Sequence, residues 1–426
     1  MGRRSGVIGR TWTALLCLAC VLAPAWTARA DETVKLGINY PLTGPYSVEG
    51  LDQIRAARMA VDEINARGGI LGRRIQLVGR DSASDVLQTR INVHELIDEG
   101  CRMIFGGASS AVAIEAAKLC QKHNVPFFGT LTYSTAFTVE DAHRVSFREC
   151  SNSWMSARLL ADWLNPRFAG KRYFYITADY TWGWTSEESL RAVTGSTSPA
   201  EHPRRLTSLG ATDFSAELAA AERAKPAVLV LVLFGKDLAF ALRQAADLGL
   251  SRRCQIVVPS LTLGMAERTG AAAMEGVVGT TPWDWTVPYL HDYPRGKAFV
   301  EGFRGRFRRY PSTAAASAYT IVYEYAAAVE RAGGFKTADV VRALEGHTYR
   351  LLKDDQTWRA FDHQSVQTMY LVRGNSPQRV LADPLRQDFF TVIASKPGAE
   401  TERDEAEWRA LRIKAGRPPK LEDLAE

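Results

Sequence analysis

The 426-residue sequence predicts an α/β fold of two doubly wound parallel-sheet lobes, and three observations carry that prediction. Short β-branched runs alternate with amphipathic helical stretches, the pattern of a parallel sheet covered by helices on both faces. The alternation begins twice, in two stretches of about 120 residues each, a length that suits one lobe apiece. Residues 227–234 form an uninterrupted apolar run between Pro226 and Gly235, as expected of a central strand buried on both faces.

In chain order, 34–40 reads as a strand and 50–66 as a helix with Ile54, Ala57, Val61 and Ile64 on one face. Strand 74–78, helix 86–98, strand 102–106, helix 111–123 and strand 126–129 continue the first run. The second run is helix 153–164, strand 172–177, helix 185–193, strand 204–208, helix 213–224, strand 227–234, helix 237–248 and strand 255–258. Strands 276–280, 369–372 and 389–393 and helices 296–309 and 313–331 are shared between the lobes. The expected division is 31–148 with about 281–360 as lobe 1, and 149–280 with about 361–398 as lobe 2. Residues 399–426, rich in Glu, Arg and Lys, read as a surface helix or loose tail.

Composition narrows the function. With 46% hydrophobic and 23% charged residues the chain is neither disordered nor of low complexity. Its net charge of +6 raises the question of a polyanionic partner, so the position of the excess matters. Arg3, Arg4, Arg10 and Arg29 lie in the first 30 residues, which contain no acid, and the rest of the chain holds 49 Lys+Arg against 47 Asp+Glu. A cationic start, an apolar stretch 12–26 and Ala28-Arg29-Ala30 are the parts of a secretory signal peptide, which places the mature start at Asp31. The excess charge is thus an export address, and no nucleic-acid partner is expected. Arg3-Arg4 leaves a twin-arginine route open, although Ser5-Gly6 stands where an apolar pair is wanted.

Of the four later cysteines, Cys101 precedes a strand and Cys120 ends the following helix. Either they form a bridge, worth roughly 3 kcal/mol in the loop-entropy view, or they are buried free thiols.

No nucleophile elbow, P-loop, dinucleotide fingerprint or H-E-x-x-H is present, and the histidines show no metal-ligand spacing, so no enzyme, metal or cofactor is expected. Small polar and aromatic residues instead gather at the C-terminal ends of predicted strands, where open α/β sheets bind ligands. Gly106-Gly107-Ala108-Ser109-Ser110 opens directly into a helix; its amides and hydroxyls suit a small carboxylate, and the plainer alternative is that Ser109 or Ser110 only caps the helix. Leu131, Thr132 and Tyr133 follow the next strand. In lobe 2, Tyr180, Trp182 and Trp184 surround Gly183 in a strand-to-helix loop, and Trp283 and Trp285 flank Asp284 after another strand. Rings in such loops wall a ligand slot, or else pack locally.

Lys35-Leu36-Gly37-Ile38, Pro41-Leu42-Thr43-Gly44, the helix segment 57–69 (ARMAVDEINARGG), the segment 105–110 and Leu242-Arg243-Gln244-Ala245 together resemble the periplasmic binding proteins of branched-chain amino acid ABC transporters. The resemblance spans 33 to about 395. It implies a type I, two-lobed receptor with a three-segment hinge, no cofactor, a small-molecule ligand held between the lobes, and delivery by a periplasmic monomer to an inner-membrane permease. By the same resemblance Ser110, Leu131 and Tyr133 hold the ligand carboxylate and Trp182 faces it from lobe 2. The acid that meets a ligand ammonium falls at Ser260, which carries no charge; Glu49 and Asp284 are the candidates to replace it. The aromatic clusters are more similar to a branch that takes aromatic carboxylates, with the apolar body against Trp182 and Trp285. A ligand sensor of the same fold, reporting to a regulator or kinase, is the rival expectation.

Overall fold

The computed structural model describes residues 33–424, so the expected export leader at 1–30 lies outside the described residues. The first run of elements is β1 (Val34–Tyr40), α1 (Ser47–Ala66), β2 (Ile75–Asp81), α2 (Val86–Asp98), β3 (Met103–Gly106), α3 (Ser110–Lys122), β4 (Phe127–Gly129) and β5 (Ser146–Arg148). The strands form one parallel sheet in the order β2-β1-β3-β4-β5. The second run is α4 (Ser153–Phe168), β6 (Tyr173–Ala178), α5 (Thr181–Thr194), β7 (Arg204–Thr207), α6 (Ser215–Ala224) and β8 (Val228–Val232). It continues through α7 (Gly235–Asp247), β9 (Gln255–Val258), α8 (Leu263–Thr269), α9 (Ala271–Met274) and β10 (Val278–Thr281). The chain then returns to the first sheet as α10 (Val287–Leu290), α11 (Pro294–Phe307), α12 (Thr313–Ala332) and α13 (Thr337–Leu344), with α12 lying along α1. A small antiparallel sheet of β11 (Thr348–Tyr349), β12 (Gln356–Trp358) and β13 (Ser365–Val366) leads back to the second lobe. There β14 (Met369–Gly374), α14 (Pro377–Ala382) and β15 (Phe390–Lys396) complete a sheet ordered β15-β14-β10-β9-β8-β6-β7. Finally come α15 (Gly398–Thr401) and α16 (Glu405–Lys414).

The second sheet departs from the all-parallel expectation: β14 is antiparallel to both β10 and β15. Thr281, the last residue of β10, pairs with Tyr370 at the start of β14, so the chain re-enters this lobe at the end where it left. Re-entry at the same end fixes the antiparallel direction. Helix α5 also starts four residues earlier than the sequence predicts, which draws Trp182 and Trp184 out of a loop and into its first turn. Residues 399–424 are not a loose tail. Trp408 is buried and its Nε1 donates to Thr138 O at 2.6 Å, while Glu422 accepts from Arg144 N at 3.0 Å. Cys101 and Cys120 are free thiols in one small apolar cluster beside Leu96 and Ile104, so the bridge is not formed; burial pushes the Cys101 thiol up to about 11, which keeps it protonated.

The chain passes between the two sheets near 149–152, 282–286 and 359–368, and hydrogen bonds tie the passages together. Arg148 N donates to His363 O at 3.0 Å, and Gln364 Nε2 donates to Cys150 O at 2.8 Å. Lys353 Nζ joins the second passage to the third, donating to Pro282 O at 2.6 Å and Thr368 O at 2.8 Å. At the centre lies the fully buried guanidinium of Arg148. It donates to Gln364 Oε1 at 2.6 Å, Thr138 Oγ1 at 2.6 Å, Thr132 O at 3.1 Å and Ser134 O. Burial pushes its pKa down to about 10, so it stays a cation at neutral pH. Arg148→Ala strands four acceptors that water cannot reach. It is expected to cost about 3 kcal/mol or more, read as a lowered denaturant midpoint without a change in slope.

Candidate functional site

Each loop at the seam between the lobes is shaped by a local requirement. Gly106 and Gly107 have φ of +127° and +93°, and a Cβ on Gly106 would stand 2.3 Å from Asn39 O, so the backbone turns there as only glycine allows. Ser109 is the N-cap residue of α3, yet its side chain makes no capping bond. Ser110 Oγ instead accepts from Ser134 N at 3.0 Å, which joins the loop after β3 to the loop after β4. The plain capping alternative therefore does not describe either serine. Gln53 of α1 steadies both loops: its Nε2 donates to Gly107 O at 2.7 Å and its Oε1 accepts from Thr130 Oγ1 at 2.9 Å.

From the other lobe, α5 can start close against β6 because residue 183 is glycine; a Cβ there would lie 1.9 Å from Ala178 O. That approach buries Trp182, whose ring meets Phe234 edge-on at 5.8 Å. Phe234 is the hub of an aromatic box that both lobes supply. Tyr46 meets it at 5.1 Å and Tyr133 at 6.0 Å, Tyr180 lies 6.0 Å from Trp182, and the Tyr46 and Tyr180 hydroxyls are 3.2 Å apart across the seam. Leu131 is buried with this group in the main core.

Four polar atoms in these loops are buried without a partner: Thr132 Oγ1, Tyr133 Oη, Trp182 Nε1 and Ser260 Oγ. All four can donate, and buried donors left unpaired cost roughly 1–3 kcal/mol each. A bound molecule that offers acceptors, such as a carboxylate, recovers that cost. Two buried acids complete the site. Glu49, in the first turn of α1, accepts from Thr262 Oγ1 of the opposite lobe at 2.9 Å, and burial pushes its carboxyl up to about 7. Asp237, in the first turn of α7, accepts from Gly210 N at 2.8 Å through Oδ2 and leaves Oδ1 unpartnered; burial pushes it up to about 6. The fields of both acids reach Tyr46.

The structure does not bring every expected residue here. Trp285 stacks face to face on Tyr310 at 3.8 Å, away from the box, because the chain after β10 has already turned toward α11. Asp284 turns its Oδ1 to Thr286, accepting from its N at 3.0 Å and its Oγ1 at 2.6 Å. Trp184 is 49% exposed, with Nε1 on Asp179 Oδ1 at 2.9 Å. Tyr46, Phe234 and Asp237 were not singled out from sequence. Phe234 carried a usable signal, since it ends the apolar run 227–234 as the other loop residues end their strands. Among the described residues, no three His, Cys, Asp or Glu side chains converge as a metal site.

A two-lobed α/β chain whose seam holds an aromatic box and unpaired donors is a ligand-capturing receptor in its architecture. The chain belongs to the periplasmic binding protein family, whose pattern matches residues 33–379. It is 24% identical over 387 residues to the Leu/Ile/Val-binding protein homolog 4 of Brucella melitensis biotype 1, covering 88% of this chain and 91% of that one. Among solved structures it is similar to a periplasmic binding protein from Burkholderia mallei, with TM-score 0.80 and 22% identity, covering 89% of this chain and 98% of that one. It is also similar to an ABC-transporter solute-binding protein from Rhodopseudomonas palustris BisB5 in complex with 3,4-dihydroxybenzoic acid. That match has TM-score 0.74 and 18% identity and covers 86% of this chain and 98% of the other.

Two outcomes follow from the seam geometry. Gly235 has φ of +60°, and a Cβ on it would lie 2.4 Å from Tyr46 Cδ1 and 2.9 Å from Pro45 O in the opposite lobe. Gly235→Ala therefore wedges the lobes, and small-angle scattering of the variant at saturating ligand is expected to show a more open shape than wild type. The second concerns Glu49, whose carboxyl binds its proton more tightly in the folded chain (about 7) than at its ordinary 4.5. Its contribution to stability is full below about 4.5 and is lost as pH rises through about 7. Glu49→Gln is expected to remove that decline from the melting temperature of the ligand-free protein, an effect on the order of 3 kcal/mol.

Proposed function

We propose that this protein is the extracytoplasmic solute-binding component of an ABC importer, acting as a periplasmic monomer. It captures a small organic carboxylate with an apolar or aromatic body between its lobes and presents it to an inner-membrane permease. The observation that carries the reading is the aromatic box drawn from both lobes, with unpartnered donors in the same loops. The ligand's head is assigned to Ser110, Thr132 and Tyr133, and its body to Trp182, Phe234 and Tyr46; Phe234 takes the place first given to Trp285. Lobe closure on the ligand follows from the two-sided box, since Tyr46 and Tyr133 belong to one lobe and Tyr180, Trp182 and Phe234 to the other. The dihydroxybenzoic acid complex of the Rhodopseudomonas palustris protein supports a carboxylate on this fold.

A second ligand class has its own support. Glu49 and Asp237 place two acids within electrostatic reach of Tyr46, and the relatives with Leu/Ile/Val-binding names favour an amino acid whose ammonium meets one of them. Isothermal titration with benzoate, 3,4-dihydroxybenzoate and leucine separates the classes. Aryl carboxylates are expected to bind wild type and to bind Trp182→Ala about tenfold or more weakly, as loss of one stacking wall implies. Tight leucine binding with none for aryl carboxylates overturns the aromatic assignment. Unchanged uptake after deletion of the gene overturns the transport role.

A further inference from the structure

A second concavity lies on the same seam, outside the aromatic box. It measures about 460 Å³ and is lined by Val48 and Arg309 from the first lobe and by Phe240, Arg243, Gly264 and Arg268, among others, from the second. Because the lining comes from both lobes, the space exists in this form only when they are closed. Its volume is in the range of small-molecule sites.

The charges around it are unevenly spent. Arg309 is held between Asp52 Oδ2 at 3.2 Å and Glu267 Oε2 at 2.8 Å, although its Nε is buried and unpartnered. Arg243 is fixed by backbone oxygens: its Nε donates to Thr269 O at 3.0 Å, and another of its nitrogens donates to Arg268 O. Among the described residues, Arg243 has no carboxylate partner. Arg268 is half-buried; its charge acts on the Glu49 carboxyl, but among the described residues its side chain makes neither an ion pair nor a hydrogen bond. Glu267 is the one acid in the lining, and it is already shared by Arg309 and Gln387. Two guanidinium groups without carboxylate partners therefore face one small space, with Phe240 and Val48 as its apolar wall. A guanidinium prefers a carboxylate because the planar fork matches two oxygens.

We propose that this concavity is a second binding site, for a small organic dicarboxylate, with one carboxylate on Arg268, the other on Arg243, and the intervening carbon chain against Phe240 and Val48. An occupant there bridges the lobes. It therefore favours the closed form, and by linkage any ligand of the aromatic box and the dicarboxylate strengthen each other's binding. The site does not depend on the identity of the molecule held in the box.

Succinate is the probe. At millimolar concentration and matched ionic strength it is expected to raise the melting temperature of the full-length mature protein and to reduce its radius of gyration toward the closed value. Arg268→Ala is expected to abolish both responses and Arg268→Lys to keep part of them. Three results overturn the proposal. One is no response in wild type. Another is a response retained by Arg268→Ala, which places the anion elsewhere. The third is an equal response to inorganic phosphate, which reduces the site to general anion screening.

Discussion

The fully buried guanidinium of Arg148 is the interaction on which the rest of the molecule turns. An ion of this kind is tolerated away from water only if nearly every donor is matched, and here the acceptors come from three parts of the structure. Gln364 belongs to the third passage between the lobes, Thr138 to the segment that the C-terminal helix covers, and Thr132 and Ser134 to the loop that also carries Tyr133. One side chain thus fixes the hinge region and the floor of the candidate site together. Lys353 does comparable work between the second and third passages: burial pushes its ammonium down to about 8, and backbone carbonyls satisfy it.

The seam itself is governed by close approach. Gly235 and Gly264, at the starts of α7 and α8, leave room for Tyr46, Val48 and Glu49 at the start of α1. Where a side chain is missing, helix ends from opposite lobes come within contact distance. That contact buries Glu49 against Thr262 and raises its pKa. The same contact adjoins the aromatic box through Tyr46 and the arginine-lined concavity through Val48, so both report on closure.

How much of this was legible depended on the range of the interactions. The first run of strands and helices follows local periodicity, and β1, α1 and α3 fall within a few residues of their predicted bounds. Strand β5 is only three residues and ends in Arg148, so no pattern announced it. Helix α5 begins at Thr181 because Gly183 permits tight packing on β6, a tertiary allowance that propensity does not record. Trp182, expected in the loop that follows a strand at the ligand edge, meets Phe234, whereas Trp285, with the same residue type and a similar setting, belongs to a stack with Tyr310. Cys101 and Cys120 were close enough in the predicted topology to suggest a bridge, yet they stand as separate buried thiols.

The sequence by itself determined the two α/β lobes, the family, the glycine-serine loop after β3 and the aromatic character of the seam, because strand and helix periods and strand-end chemistry are local properties. Only the tertiary structure decided the antiparallel β14 and β15, the docking of the C-terminal helix on Thr138, and which rings form the box. Those depend on where the chain re-enters a sheet and on which helix ends meet across the lobes, and residues far apart in sequence settle both.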